Sequence, residues 1–317
     1  MKGLLDKKEY DFIKSNPDLS HVIYLVLSGS RAYGTTTITS DYDLRGVLVE
    51  QPKYIYGLKD FEQYEHLPTD TVIYGFRKFA GLLAKANPNA LELLGVEEES
   101  IVYITHQGKM LRDNAGLFLS KRVAGSFGSY AVAQLRRLQN ALCRDSYTDS
   151  EQKAHLQEVL SAQMDHFRRT YTNFDDGAIT IYSDDDSLKF DITLRKYPVS
   201  DFVGIYSELA SILKSYNKLN TRNNKKSEAS LYKHAMHLVR LLITGTDILN
   251  GKGIITMRKA EHGLLMDIRN GKLGFDKIFR LAEDFKAKFD AAVIGTRLPD
   301  EPDMAKIEWF MMDVYGC

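Results

Sequence analysis

Residues 21–46 read HVIYLVLSGSRAYGTTTITSDYDLRG, and this stretch restricts the fold more than any other. A β-branched and apolar run over 21–29 ends at Gly29-Ser30, where a buried strand hands over to a short helical turn. After a helix-length gap come Asp41 and Asp43, leading into a second β-rich run over 43–50 that is closed by Gln51-Pro52. Side chains alternate faces along a strand, so Asp41, Asp43 and Arg45 share one face if the extended run starts at Asp41. Two carboxylates held that close favour a divalent cation, and an oxygen-rich set suits magnesium or manganese. A tight turn at a helix start offers backbone N–H groups to a phosphate, to which Ser30 adds a hydroxyl and Arg31 or Arg45 a charge. Together the two halves point to nucleoside-triphosphate chemistry.

Each half has a plainer reading. A lone Gly-Ser is a turn, and a lone Asp-x-Asp is commonly a solvated turn or a helix cap. DYDLRG also opens like a calcium-binding loop, but its fifth position is Arg45 and its twelfth is Pro52, where a bidentate Glu is required. The ordered combination of strand, Gly-Ser, short gap, Ser-Asp-x-Asp and strand is what carries specificity.

The rest of the chain continues the alternation. Residues 70–76 (DTVIYGF) read as a third strand, and Phe76, Phe79, Leu82, Leu83 and Ala86 recur at helical spacing until Asn87-Pro88 stops them. A short helix, NALELL, follows. Interleaved elements of this kind fit a small α/β or α+β domain. Beyond about residue 122 the texture turns helical. Thr148-x-x-Glu151 is a capping box, and Leu156, Leu160, Met164 and Phe167 fall on one face after it. Residues 178–197 read as a hairpin around a polar SDDDS tip, and helical stretches follow near 201–216, 229–249 and 275–293.

Charge is balanced, with 42 Lys+Arg against 42 Asp+Glu, so any nucleic-acid surface must be local. Residues 214–240 supply one: Lys214, Lys218, Arg222, Lys225, Lys226, Lys233 and Arg240 stand against a single acid, Glu228. Such a run is either a solvated face or a phosphate-contacting surface. Lys233, His237 and Arg240 fall at i, i+4 and i+7 and share a helix face, which is expected to close over a triphosphate or a nucleic-acid backbone. HAMH lacks the spacing of a zinc motif, and GTDILNGK (245–252) has the wrong interval for a phosphate-binding Walker loop. It reads better as a helix end at Asn250-Gly251. Two cysteines, Cys143 and Cys317, make neither a disulfide framework nor a zinc cluster. With no signal-peptide core and no apolar run near the ~18 residues that span a bilayer, a cytoplasmic protein without membrane contact is expected.

The pattern Gly29-Ser30-x-x-Tyr33-Gly34, then Ser40-Asp41-x-Asp43-x-Arg45-Gly46, resembles the signature of the DNA polymerase beta-type nucleotidyltransferase superfamily. More closely it resembles the nucleotidyltransferases associated with RNA repair. FRKFAGLLAKANPNALELL, SFGSYAVAQLRRL and YKHAMHLVRLLITGTDIL are similar to that family's later segments, so the likeness covers most of the chain. It implies an α+β fold, with a polymerase-beta-like catalytic domain over 1–122 built on a small mixed sheet flanked by helices. A mainly helical domain with a hairpin follows over 123–317. It implies three carboxylates for catalysis and metal binding, with Asp70 the choice for the third beside Asp41 and Asp43. Asp60, Glu62 and Glu65 stand nearby as alternatives, and Glu92 is a supporting possibility. Gly29, Ser30, Arg31, Ser40, Arg45, Lys233, His237 and Arg240 would contact the nucleotide. The expected reaction transfers a nucleotide from an NTP to an RNA or DNA end with Mg2+ or Mn2+. Transfer of AMP to a protein or small molecule, and a non-catalytic nucleotide- or RNA-binding module, are the alternatives.

Overall fold

The computed structural model describes residues 3–38, 40–146, 149–170, 174, 178–183, 188–221 and 227–316. It is α+β. Five strands, β1 (Val22–Leu27), β2 (Leu44–Leu48), β3 (Gln63–His66), β4 (Thr71–Gly75) and β5 (Ile101–Ile104), form a mixed sheet in the order β3-β4-β2-β1-β5. The pairs β1–β2, β1–β5 and β3–β4 are antiparallel, and β2–β4 is parallel.

The continuous apolar run of β1 has a simple cause: both faces of the sheet are covered. Leu25, Leu27, Leu44, Leu48 and Ile73 point to one side, against Leu4, Tyr10 and Leu19 of the N-terminal segment. Tyr24, Val26 and Val47 point to the other, against Phe76, Phe79 and Leu83 of the Phe76–Ala84 helix and Leu91 and Leu94 of the Pro88–Leu94 helix. Asn87 caps the latter, its side chain accepting from the Ala90 N–H at 3.2 Å. The Asn87-Pro88 break thus separates two helices, as the sequence indicates.

The chain falls into two compact units, residues 1–135 with 232–317, and residues 136–231. This division differs from a cut at residue 122. Leu238, Leu241, Leu242, Ile248, Phe289, Ile307, Phe310 and Val314, all C-terminal, join the same core as the helix-covered face of the sheet. The helical stretches near 229–249 and 275–293 were legible along the chain, but what they bury against was not, and the Met304–Tyr315 helix that carries Ile307, Phe310 and Val314 was not anticipated. The second unit has its own core, in which Leu156, Leu160, Met164 and Phe167 meet Phe174, Ile179, Ile205, Leu209 and Ile212. That is the helix face read from the sequence; Thr148 of its capping box lies outside the described residues. The hairpin has strands β6 (Ile179–Ser183) and β7 (Leu188–Ile192), and residues 184–187 of its tip also lie outside. The expected later helices are Val199–Thr221, Glu228–Leu249 and Phe275–Gly295. Among the described residues no helix is long and apolar enough to cross a membrane.

Phe310 packs edge-on against Phe76 and Phe118, with ring centroids 6.3 and 6.2 Å apart. Phe310→Ala is expected to cost about 3–5 kcal/mol. Urea unfolding should show the loss in the unit that contains the sheet.

Candidate active site

β1 ends at Leu27, and the next residues set the geometry. Ser28 is extended, Gly29 turns with φ +60°, and a five-residue helix, Gly29–Tyr33, begins. The Ser28 N–H and hydroxyl both donate to the Asp43 carbonyl oxygen, at 2.8 and 3.1 Å, which fixes the backbone just ahead of β2. A Cβ on Gly29 would lie 2.0 Å from Asp43 Oδ2. Both the positive φ and this contact require glycine there. The Asp43 carboxylate therefore sits directly against the turn, half-buried.

Asp70 arrives from the other side. It occupies the left-handed region, φ 43°, at the step from the Leu67–Thr69 turn into β4, a conformation that Asp tolerates better than most residues. Its Oδ1 accepts from Arg45 Nη2 at 3.0 Å, and its carbonyl accepts from Arg45 Nη1, which also bonds the Leu44 carbonyl at 3.0 Å. The parallel β2–β4 register makes this possible by setting Arg45 opposite Val72. Asp43 and Asp70 meet side chain to side chain. Burial, and next the Asp70 carboxyl, push Asp43 from its ordinary 3.8 up to about 6, against the opposing pull of Arg45 and Lys233. Two carboxyls in contact call for a proton or a cation between them. Magnesium takes one or two protein carboxylates and completes its shell with water and phosphate, so this pair fits it. Among the described residues no three His, Cys, Asp or Glu side chains gather as a metal cluster.

Asp41 stands apart. β2 starts at Leu44, so the extended run does not reach back to it, and its side chain is exposed. Arg31 fastens this loop: Nε donates to the Asp41 carbonyl at 3.4 Å, Nη2 to the Ser40 carbonyl at 3.2 Å, and the guanidinium lies 3.7 Å over the Tyr42 ring. The Ser40 hydroxyl oxygen accepts from the Thr37 N–H at 2.8 Å, closing the preceding turn. Arg31 and Ser40 thus shape the loop. The alternative third carboxylates are engaged on the surface, Asp60 with Arg77 and Glu62 with Lys78, at 2.8 and 2.7 Å, while Glu65 is exposed beside Gln63.

A cavity of about 310 Å³ opens above the turn. Ser28, Gly29, Asp43 and Arg45 line one part, Val72 and Tyr74 come from β4, and Tyr33, Asn89, Glu92, Leu93, Val96 and Thr256 line the rest.

The basic helix face requires correction. Lys233, His237 and Arg240 do face the Gly29–Tyr33 helix, but only Lys233 is exposed. Arg240 is buried, its Nη1 donating to Glu92 Oε1 and its guanidinium stacked 3.6 Å over the Tyr33 ring. The Tyr33 hydroxyl donates to Glu92 Oε2 at 2.8 Å. His237 meets Tyr33 edge-on at 6.1 Å, and burial with the surrounding Arg240 and Lys233 charges holds its pKa well below the usual value, so it is neutral near pH 7. Arg240 is an internal tie, because a charge this deep must be paired. Of the rest of the basic stretch, Arg222, Lys225 and Lys226 lie outside the described residues, and Lys214 and Lys218 sit in the Val199–Thr221 helix. Ser28, Asn89, Thr256 and Arg269 were missed. Only Ser28, beside the Gly-Ser pair, carried any local signal.

The family model RlaP, described as the RNA repair pathway DNA polymerase beta family, matches residues 7–313. No curated protein and no solved structure matches the chain.

Two outcomes follow from the site's electrostatics. Asp43 binds its proton more tightly folded than unfolded, so it favours the folded state at low pH, and this contribution is lost as pH rises from about 4 through about 6. Asp43→Asn should therefore raise the melting temperature of the metal-free protein above pH 6 and change it little below pH 4. Glu92→Gln leaves Arg240 buried without its counter-charge and should cost about 3–5 kcal/mol by urea unfolding.

Proposed function

The chain belongs to the RNA repair pathway DNA polymerase beta family, and from that premise we propose that it transfers a nucleotide from an NTP to a hydroxyl of an RNA end, releasing pyrophosphate. The observation that supports this reading is the Asp43–Asp70 carboxyl pair, in which Asp43 lies against the Gly29 turn and lines the cavity while Asp70 meets it from the solvent side.

Asp43 and Asp70, with Asp41 as the third donor from the Arg31-fastened loop, would hold divalent Mg2+ or Mn2+. When bound, these ions neutralise phosphate oxygens and acidify the attacking hydroxyl. The chain's own residues do the remainder. Ser30 and the N–H groups of the Gly29–Tyr33 turn receive the triphosphate, and the Lys233 charge acts on Asp43. The acceptor oxygen attacks the α-phosphorus, a new P–O bond forms, and the bond to the bridging oxygen of pyrophosphate breaks. The hydroxyl proton passes to Asp70, whose direction is fixed by Arg45. No covalent enzyme intermediate is needed, since alignment and charge stabilisation supply the catalysis. The acceptor is assigned to RNA from the family's description.

The test is incubation with each α-labelled NTP in turn, with Mg2+ or Mn2+, with and without RNA. Label should move to RNA, and Asp41→Asn or Asp43→Asn should lower the rate about 100-fold or more without lowering the melting temperature. Label on protein would point to AMP transfer instead. Absence of metal-dependent pyrophosphate release with every NTP would reduce the chain to a binding module.

A further inference from the structure

Arg269 ends the His262–Arg269 helix, and its guanidinium is only part-exposed. Its Nη1 is buried with no hydrogen-bond partner, and its Nη2 lies 3.4 Å from the Ser40 hydroxyl oxygen. The nearest acid in sequence, Asp267, is taken by Lys272 at 2.8 Å. Burial alone acts on the Arg269 charge, lowering its pKa, and no carboxylate offsets it. Lys233 is likewise without an ion pair among the described residues, although its field reaches Asp43.

These two cations belong to one neighbourhood. The His237 imidazole feels Arg240, Lys233, His234 and Arg269 together. Glu92 neutralises Arg240, neutral His237 adds no charge, and His234 is engaged with Gln134 Oε1 at 3.0 Å. Lys233 and Arg269 remain, two cations near the Ser40–Asp43 segment that form no ion pair among the described residues. Holding a partly desolvated guanidinium near a second cation is unfavourable until an anion arrives. An anion carrying several charges would be favoured over one carrying a single charge.

Building on the nucleotide-transfer reading, we propose that Arg269, acting with Lys233, seats the terminal phosphates of the incoming nucleotide beside Ser40. Arg269 is then a positioning residue for the leaving pyrophosphate. It discriminates triphosphates from monophosphates and leaves base and ribose contacts to the cavity.

The test measures binding of ATP, GTP, CTP and UTP, the four matching monophosphates and inorganic tripolyphosphate, each with Mg2+, to the wild-type chain, Arg269→Gln and Arg269→Lys by calorimetry. For the best-bound NTP and for tripolyphosphate, Arg269→Gln should weaken affinity by about 10- to 100-fold. The matching monophosphate should bind unchanged, and Arg269→Lys should recover part of the loss. Wild-type NTP affinity in Arg269→Gln, a loss confined to RNA binding, or an equal loss of NTP and monophosphate in both variants would each overturn the assignment while leaving the transfer reading intact. A wild-type chain that binds none of the four NTPs would remove that reading and this inference together.

Discussion

The Glu92–Arg240 pair is buried on both sides, with side chains 3% and 4% exposed, and it joins parts of the chain that are 148 residues apart. Tyr33 completes it, giving its hydroxyl to Glu92 and its ring face to Arg240. The Thr256 hydroxyl donates to the Glu92 carbonyl at 2.7 Å, which ties in the loop after the Glu228–Leu249 helix. Each partner stands on an element that contributes to the site. Tyr33 closes the helix that starts at Gly29, Glu92 lines the cavity, and Arg240 lies two turns along from Lys233. An ion pair at this depth gains little net stability over an apolar replacement, but losing either member strands a charge. Its consequence is positional: the returning C-terminal segment can dock on the sheet only in a register that brings Arg240 to Glu92.

Around this neutralised centre the site is electrically unfinished. On one side, Asp43 and Asp70 press two carboxyls together, with Arg45 supplying partial compensation. On the other, Lys233 and the half-buried Arg269 form no ion pair among the described residues. Each half is costly alone. A polyphosphate carrying divalent cations would complement both, its metal ions meeting the acids and its outer oxygens meeting the cations. A site that keeps such complementary charge in place before the ligand arrives needs little reorganisation when it does, which is the basis of electrostatic catalysis.

Much of this was legible along the chain because it depends on local geometry. The strands at 22–27, 44–48 and 71–75 follow from β-branched runs that end at turn residues. Asp43 and Arg45 both line the cavity, Arg45 from within β2 and Asp43 from the position just ahead of it, where Ser28 holds its carbonyl oxygen. Asp41 did not follow them, because the extended run begins only at Leu44 and Arg31 holds the preceding loop by its carbonyls. The edge strands Gln63–His66 and Ile101–Ile104 were not anticipated. Gln63–His66 (QYEH) is largely polar, and Ile101–Ile104 (IVYI), although apolar, is only four residues long, too short for periodicity to separate strand from helix. The spacing of Lys233, His237 and Arg240 gave a shared face, but spacing carries no depth: Lys233 is exposed, His237 part-buried and Arg240 buried.

By itself, then, the sequence determined the turn at Gly29-Ser30, the approach of Asp43 to it, the three central strands and several of the longer helices, and apolar faces that had to be buried. These are consequences of neighbouring residues and of backbone periodicity. The tertiary structure alone decided that residues 232–317 complete the unit formed by 1–135, that Arg240 serves Glu92, and that Arg269 comes to lie beside Ser40. Those outcomes rest on contacts between residues more than a hundred positions apart. Their partners are selected by shape and charge across the folded interior, and no local pattern in either segment records the other.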